Sequence, residues 1–198
     1  MPNWCMNNLS VFGPDEDIKR FMNQARGPTQ TYNDIRSFNS KPWDIHDDIR
    51  VKAMVETLPD PGEISEFSFH ALYPVPEDYR RFPYDDTQAV ELGEKLGTER
   101  PCGGYSWEAN HWGCKWGASD VTVTISSDTN IEYSFSTPWG PPNEFFSKIT
   151  RDWPTLTFFL QYDEPGMGFE GTSRWEEGEC VWEDHDSYQE EDEEYDED

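Results

Sequence analysis

The sequence predicts an α+β fold, a two-layer sandwich in which two helices cover one face of an antiparallel sheet. Short alternating apolar runs bounded by glycine and proline indicate strands, and two longer runs with helical spacing indicate the helices. Aromatic residues make up 15% of a chain in which only 34% of residues are hydrophobic. Because disordered chains lack aromatic residues, this composition predicts a folded and unusually aromatic core.

The first unit of the chain reads as a strand, a turn and a helix. Residues 9–12 form an apolar run that ends at Gly13-Pro14, which predicts a short strand followed by a turn. Three acidic residues at 15–17 favour a helix N-terminus, and apolar residues then recur with helical spacing as far as Ala25. Asn7 and Asn8 precede this strand's end and cannot both point to one face. One of them is therefore expected to make a structural hydrogen bond inside the protein.

A long insertion, from about residue 28 to residue 118, follows the first helix. Its weak alternation over 64–72 predicts a strand, and residues 87–96 predict a helix that ends at Gly97. Residues 105–117 contain three tryptophans interrupted by glycine, which predicts an aromatic-rich turn rather than a regular element.

The second half of the chain completes the sheet. Residues 121–125 and 131–135 predict two strands joined by a turn, 143–152 a helix, 156–162 a strand and 167–175 a last, glycine-containing strand. With the insertion removed, the order is βαββαβ, the ferredoxin-like arrangement. We therefore expect one elaborated ferredoxin-like domain over residues 1–175. Despite its name, this topology implies no iron–sulfur cluster, and no cluster spacing is present.

The charge is concentrated at the C-terminus. The 198 residues include 41 acidic and 15 basic side chains, for a net charge of −26, and residues 176–198 contain 14 of the acidic residues and no lysine or arginine. This composition predicts a disordered acidic tail over 176–198. It argues against direct binding to nucleic acid or to anionic membranes, because phosphate would be repelled.

The tryptophan-rich segment is the best candidate for a ligand site, since aromatic walls with a few polar groups are typical of binding pockets. The alternative is structural, with the tryptophan rings closing the open side of the sheet. The candidate ligand-binding residues are Trp107, Asn110, His111, Trp112, Lys115, Trp116 and Trp139.

Neither a metal site nor a catalytic site is predicted. His111 and Cys114 have the spacing of half a metal site, but Cys5 and Cys102 would complete it only by an accident of the fold. Cys114 could act as a nucleophile with His111 and an orienting Glu108, although nothing in the sequence requires this. We expect free cysteine thiols, no cofactor, no metal ion and no assigned catalytic residue.

The acidic tail is the candidate partner-binding segment. Its carboxylates could act as a decoy that occupies a basic groove evolved for nucleic acid, or could serve only to keep the protein soluble. The residues concerned are Glu190, Glu191, Asp192, Glu193, Glu194, Asp196, Glu197 and Asp198.

Several segments resemble one known family in the same order along the chain. They are residues 1–13, 72–77, 105–107, 110–116, 137–142 and 162–171. Together they are similar to the YubB-type ferredoxin-like domain family, over roughly residues 1–175, which leaves the acidic tail outside. The resemblance implies the fold and an origin on phages, plasmids or genomic islands. It implies no activity, and His111 and Cys114 depart from the family's pattern.

The sequence thus predicts a non-enzymatic binding protein of a mobile element. We expect it to engage a protein with a basic nucleic-acid-binding surface, of the host or of a defence system, through acidic residues. The alternative is a small-ligand or peptide-binding domain that uses residues 105–117. The N-terminus has no signal-peptide pattern, which predicts a location in the cytoplasm of the bacterial host.

Overall fold

The computed structural model describes residues 2–34 and 45–187, apart from the side chains of residues 45–48, 125 and 126. The strands in this part of the chain are β1 (Trp4–Phe12), β2 (Gly27–Pro28), β3 (Ile64–Ser65), β4 (Ser119–Ser127), β5 (Asn130–Pro138), β6 (Thr157–Glu164), β7 (Phe169–Glu176) and β8 (Glu179–Ser187). The helices are α1 (Asp15–Ala25), α2 (Ile45–Glu56), α3 (Phe69–Leu72), α4 (Glu77–Arg80), α5 (Asp86–Leu96), α6 (Gly104–Trp112) and α7 (Asn143–Ile149), which continues into a 3-10 turn at Thr150–Asp152.

The main sheet has six strands in the order β4-β5-β1-β6-β7-β8, and every neighbouring pair is antiparallel. β1 lies between β5 and β6, as the first strand of a ferredoxin-like sheet must. Without the insertion, β1, α1, β4, β5, α7 and β6 follow one another as βαββαβ. The predicted ferredoxin-like fold is therefore confirmed, and β7 and β8 extend it at one edge.

One face of the sheet carries the core, and the core is aromatic. Alternate residues of β1, among them Leu9 and Val11, point inward and are completely buried. Phe21 of α1 packs edge-on against Trp153 and Phe158, with ring centroids 5.3 and 5.4 Å away. Each fully buried side chain of this size stabilises the fold by roughly 1.5–3 kcal/mol. Few residues therefore suffice for a thin two-layer core.

The insertion adds to this core and differs from the prediction over 64–72. Only Ile64–Ser65 is a strand there, because the Ser68 hydroxyl accepts a hydrogen bond from the Ala71 N–H and caps α3. α3 places Phe69 against Phe145 of α7, with the rings stacked 3.9 Å apart. The prediction of a continuous strand over 64–72 is wrong because a local cap starts a helix within it.

The tryptophan-rich segment also differs from the prediction, since its first eight residues, 105–112, belong to α6. The Asp86 carboxylate accepts hydrogen bonds from the Gly103 N–H (2.7 Å), the Ser106 N–H (3.3 Å) and the Ser106 hydroxyl (2.5 Å). It thereby satisfies N–H groups that the start of a helix leaves without partners. Gly113 ends the helix with a left-handed φ of 79°. The predicted irregular turn is confined to the residues that follow.

The predicted acidic tail over 176–198 is wrong for its first part, because Glu179–Ser187 forms strand β8 and pairs with β7 along its length. Glu177 and Gly178 join the two strands with positive φ at both residues, as a type I′ hairpin turn requires. All the side chains of β8 are exposed, so main-chain hydrogen bonds hold it without any apolar alternation. Residues 188–198 lie outside the described residues.

No helix in the described part of the chain combines the length and apolar character needed to span a bilayer.

Candidate functional site

An exposed group of aromatic side chains surrounds one lysine at the end of the sheet where β1 begins and β5 ends. The Lys115 Nζ lies 4.2 Å from the ring centroid of Trp116, 5.8 Å from that of Trp139 and 6.0 Å from that of Tyr105. Trp4 lies beside Trp116, with ring centroids 6.5 Å apart. The four aromatic residues are 39–47% exposed. We call these five residues the aromatic cluster.

Two members of the aromatic cluster have an unusual backbone. Trp116 has a φ of 69° and Trp139 a φ of 73°. A bulky residue rarely adopts this left-handed conformation, which costs of order 1–3 kcal/mol and persists only where the surroundings impose it. Both strained residues carry exposed rings that face the same ammonium group. Such strain is concentrated at functional sites in proteins.

A buried carboxylate holds Trp116 in place. Glu108 of α6 is completely buried, and its Oε2 accepts a hydrogen bond from the Trp116 N–H at 2.6 Å. The hydroxyls of Tyr32 and Tyr84 donate to the same carboxylate at 2.6 and 3.1 Å. Burial raises the pKa of Glu108 to about 6, although the donors, led by Tyr32, act to lower it. Glu108 thus has a positioning role and lies beneath the surface rather than in it.

A second polar network holds Trp139. The buried Asn7 amide donates to the Thr137 hydroxyl at 2.8 Å, and that hydroxyl donates to the Gly140 carbonyl at 2.7 Å. The Trp139 N–H donates to the Asn3 carbonyl at 2.9 Å. The expectation that one of the two asparagines makes a structural hydrogen bond is confirmed, and Asn7 is that residue.

The structure divides the predicted ligand-binding residues into three sets. Lys115, Trp116 and Trp139 come together in the aromatic cluster. Trp107 and Trp112 are buried in the core, which agrees with the alternative that these tryptophans have a structural role.

Asn110 and His111 lie instead in a small cleft of about 210 Å³ between α6 and α7. There the His111 ring stacks on Trp107, with centroids 4.3 Å apart, and its Nδ1 is 2.7 Å from the Trp107 carbonyl. Because a carbonyl only accepts, Nδ1 donates in this contact.

The two buried cysteines, Cys5 and Cys114, are not activated as nucleophiles. Cys5, Cys102, Cys114 and Cys180 are free. Burial raises the pKa of Cys114 far above its usual range and that of Cys5 to about 12, which disfavours the reactive thiolates. Within residues 2–34 and 45–187, no group of three or more histidine, cysteine or acidic side chains is arranged to hold a metal ion.

The face of the sheet opposite the core carries a row of acidic side chains. Asp163 of β6 pairs with Glu170 of β7, and Glu170 pairs with Asp186 of β8. We call these three residues the acidic row. Asp184 lies two residues before Asp186 and faces the same groove, which has a volume of about 440 Å³ and also includes Asn8 and Gln161. The predicted partner-binding residues from Glu190 to Asp198 lie outside the described residues.

Sequence reasoning missed Trp4 and Tyr105 as surface residues and missed the acidic row. The signal for Trp4 was present, since β1 alternates and its even-numbered residues point away from the core. The acidic row required the register of three strands. Asp163 and Asp186 are 23 residues apart and become near neighbours only through β7.

The order of the strands and the helices on one face of the sheet define a ferredoxin-like domain. Residues 111–198 match a family model described as "Ferredoxin-like domain in Api92-like protein". The match includes residues 176–198, which the resemblance had left outside. This description names a fold and no activity, and it supports a ferredoxin-like family without supporting the YubB-type assignment.

A solved structure supports the fold over nearly the whole chain. It is the crystal structure of a protein Api92 from Yersinia pseudotuberculosis, with a TM-score of 0.51 and 11% sequence identity. The similarity covers 96% of this chain and 99% of that one. At this identity the likeness concerns the fold alone. No curated protein matches the sequence.

Proposed function

We propose that this chain is a non-enzymatic binding protein that engages a basic protein surface through the acidic row. The observation that carries the proposal is the cross-strand placement of Asp163, Glu170 and Asp186 on an exposed sheet face. The acidic row therefore concentrates negative charge on one face of the sheet, and a basic partner surface is complementary to such a face.

The charge of the whole chain supports the same partner chemistry. A net charge of −26 attracts cationic surfaces over long distances and repels phosphate. Neighbouring strands are about 4.8 Å apart, so the acidic row presents its carboxylates at close, regular intervals. Proteins that bind nucleic acid carry complementary rows of lysine and arginine. We therefore propose a partner of this kind, a host or defence protein met in the bacterial cytoplasm.

We also propose that the chain is of the YubB type and originates from a phage or plasmid. A protein of such an origin would meet the defence proteins of its bacterial host. Residues 190–198 are separated from the end of β8 by two residues in sequence, and their eight carboxylate side chains belong to the same proposal as further negative charge for a basic partner.

The test compares two triple variants that remove equal charge. Asp163→Asn/Glu170→Gln/Asp186→Asn neutralises the acidic row. The control Glu16→Gln/Glu91→Gln/Glu94→Gln neutralises three exposed residues on α1 and α5. Each immobilised protein is incubated with nuclease-treated bacterial lysate at low salt. The proteins retained are identified by mass spectrometry, and the affinity of each purified partner is then measured by calorimetry.

We expect the wild type and the control to retain the same basic protein, and the acidic-row variant to lose it. Duplex DNA should compete with this chain for the captured protein, because both would occupy the same basic groove. Equal retention by the acidic-row variant and the control would refute the role of the row. A chain that ends at Ser187 tests residues 188–198 separately, and undiminished affinity would refute a role for the tail.

A further inference from the structure

The aromatic cluster has a chemistry of its own that the acidic row does not explain. Trp116, Trp139 and Tyr105 converge on a single ammonium group, that of Lys115, at 4.2, 5.8 and 6.0 Å. These distances lie within the range in which an aromatic ring attracts a cation through the negative face of its π-system. The cluster therefore already holds a cation in this structure, and the cation belongs to the chain itself.

Lys115 contacts aromatic rings and not a carboxylate of the described residues. The chain has 41 acidic residues, yet among the described residues no carboxylate forms an ion pair with Lys115. An exposed ammonium normally stays in water or pairs with a nearby acid. Lys115 instead lies against three rings, in the placement that cation–π attraction favours.

The fold imposes this arrangement at a cost. The two tryptophans nearest the ammonium have left-handed backbones. The buried Glu108 accepts from the Trp116 N–H, the Asn3 carbonyl accepts from the Trp139 N–H, and the Asn7–Thr137 pair fixes the neighbouring Gly140 carbonyl. An accidental surface patch would not need strained residues to orient its rings. The strain keeps the rings pointed at one place on the surface.

We propose that the aromatic cluster is a cage for the alkylammonium side chain of a partner protein, a lysine or a methylated lysine, and that Lys115 occupies it until the partner displaces it. A cation fits the field of a chain with a net charge of −26, whereas an anionic ligand would be repelled. The rings are about half exposed, so the bound group stays partly in solvent, as a side chain attached to a partner does. This proposal does not rest on the acidic row.

The experiment uses choline as a probe and its uncharged analogue 3,3-dimethylbutan-1-ol as the comparison, since the two share size and shape. Binding is followed by tryptophan fluorescence and by the indole N–H resonances in NMR spectra. The variant Lys115→Met empties the cage while keeping an apolar side chain. The control Lys148→Met removes one exposed lysine from α7, outside the aromatic cluster.

We expect Lys115→Met to bind choline about tenfold more tightly than the wild type and the Lys148→Met control, because the cage no longer has to release its own cation. Adding Trp139→Leu to Lys115→Met should abolish the gain. A trimethyllysine flanked by glycines should bind at least as tightly as choline.

Three results would overturn the proposal. Equal binding of the uncharged alcohol would reduce the cluster to an apolar patch. Choline affinity that is the same in Lys115→Met and the wild type would refute occupation by Lys115. Weaker binding of the peptide than of choline would refute a protein side chain as the occupant. Because the probes are small molecules, these outcomes are independent of whether the acidic row binds a protein.

Discussion

Replacing Glu108 tests how the buried network supports the surface above it. In Glu108→Ala, the Trp116 N–H and the hydroxyls of Tyr32 and Tyr84 lose their shared acceptor. The hydroxyls can rotate toward other acceptors, whereas the backbone N–H cannot. A buried donor left without a partner costs about 1–3 kcal/mol. We expect Glu108→Ala to lose roughly 3 kcal/mol of stability at pH 4.5, where the wild-type carboxyl is neutral in the folded state.

The pH dependence separates the charge of Glu108 from its hydrogen bonds. The folded pKa of about 6 exceeds the ordinary value of 4.5, because burial disfavours the ionised form. The folded protein therefore takes up the proton more readily than the unfolded chain. The stability that this provides is complete below pH 4.5 and is lost as the pH rises through 6. The pKa difference corresponds to about 2 kcal/mol.

Glu108→Gln isolates the contribution that the charge of Glu108 makes to the free energy of unfolding. Glutamine keeps an acceptor for the Trp116 N–H, and the Tyr32 hydroxyl can turn to accept from its amide. The variant carries no ionisable group at this position. We expect the difference in unfolding free energy between variant and wild type to move by about 2 kcal/mol in favour of the variant between pH 4.5 and pH 7.

The assay is urea unfolding followed by tryptophan fluorescence at several pH values, with the exposed Glu91→Gln as the control for a surface charge. A difference between Glu108→Gln and wild type that does not change with pH would refute the reasoning. So would a change that favours the wild type at pH 7, because the hydrogen bonds to the ionised carboxylate would then outweigh its burial.

Three further predictions follow from the described residues. His70 is buried, its Nδ1 accepts from the Val75 N–H at 3.0 Å, and burial lowers its pKa from 6.5 to about 4. The wild type should therefore lose roughly 3 kcal/mol relative to His70→Gln as the pH falls from 6.5 to 4, measured by urea unfolding. A chain that ends at Ser187 should melt like the full chain, whereas one that ends at Gly178 should melt several degrees lower, because it exposes the edge of β7. Gly97→Ala should cost about 1 kcal/mol in thermal unfolding, since Gly97 has a φ of 69° and open space around it.

Local signals in the sequence were enough to predict most of the strands of the sheet and the helices that pack near it. The apolar alternation of β4 and β5 and the helical spacing of α1 and α5 depend on nearest neighbours along the chain. Gly97 ends α5 in the left-handed conformation that its position indicated. Because strand order in a ferredoxin-like fold follows from element order, the topology followed from these elements.

The errors occurred where the stabilising partner is distant in sequence or lies in the main chain. α6 has no side-chain cap hydrogen bond at its N-cap, Gly103, and depends on Asp86, which lies 17 residues before Gly103. β8 has a charged sequence with no buried side chain, and its pairing with β7 is made by backbone groups that no residue pattern reveals. The density of charge predicted a tail because charged side chains indicate exposure to solvent. The side chains of an edge strand can be exposed to solvent as well, so charge alone does not distinguish the two.

The two proposed surfaces are connected through β1, which suggests why the chain keeps both. Trp4 belongs to the aromatic cluster, and Asn8, four residues later on the same face, lines the groove beside the acidic row. Four residues of a strand span about 13 Å, a distance that one basic helix or loop of a partner covers easily. A lysine inserted among the rings would fix the register of such a partner, while carboxylates along the sheet would supply long-range attraction. The aromatic cluster would then govern the dissociation rate and the acidic row the salt-dependent association rate, because charge steers encounter whereas short-range contacts resist release.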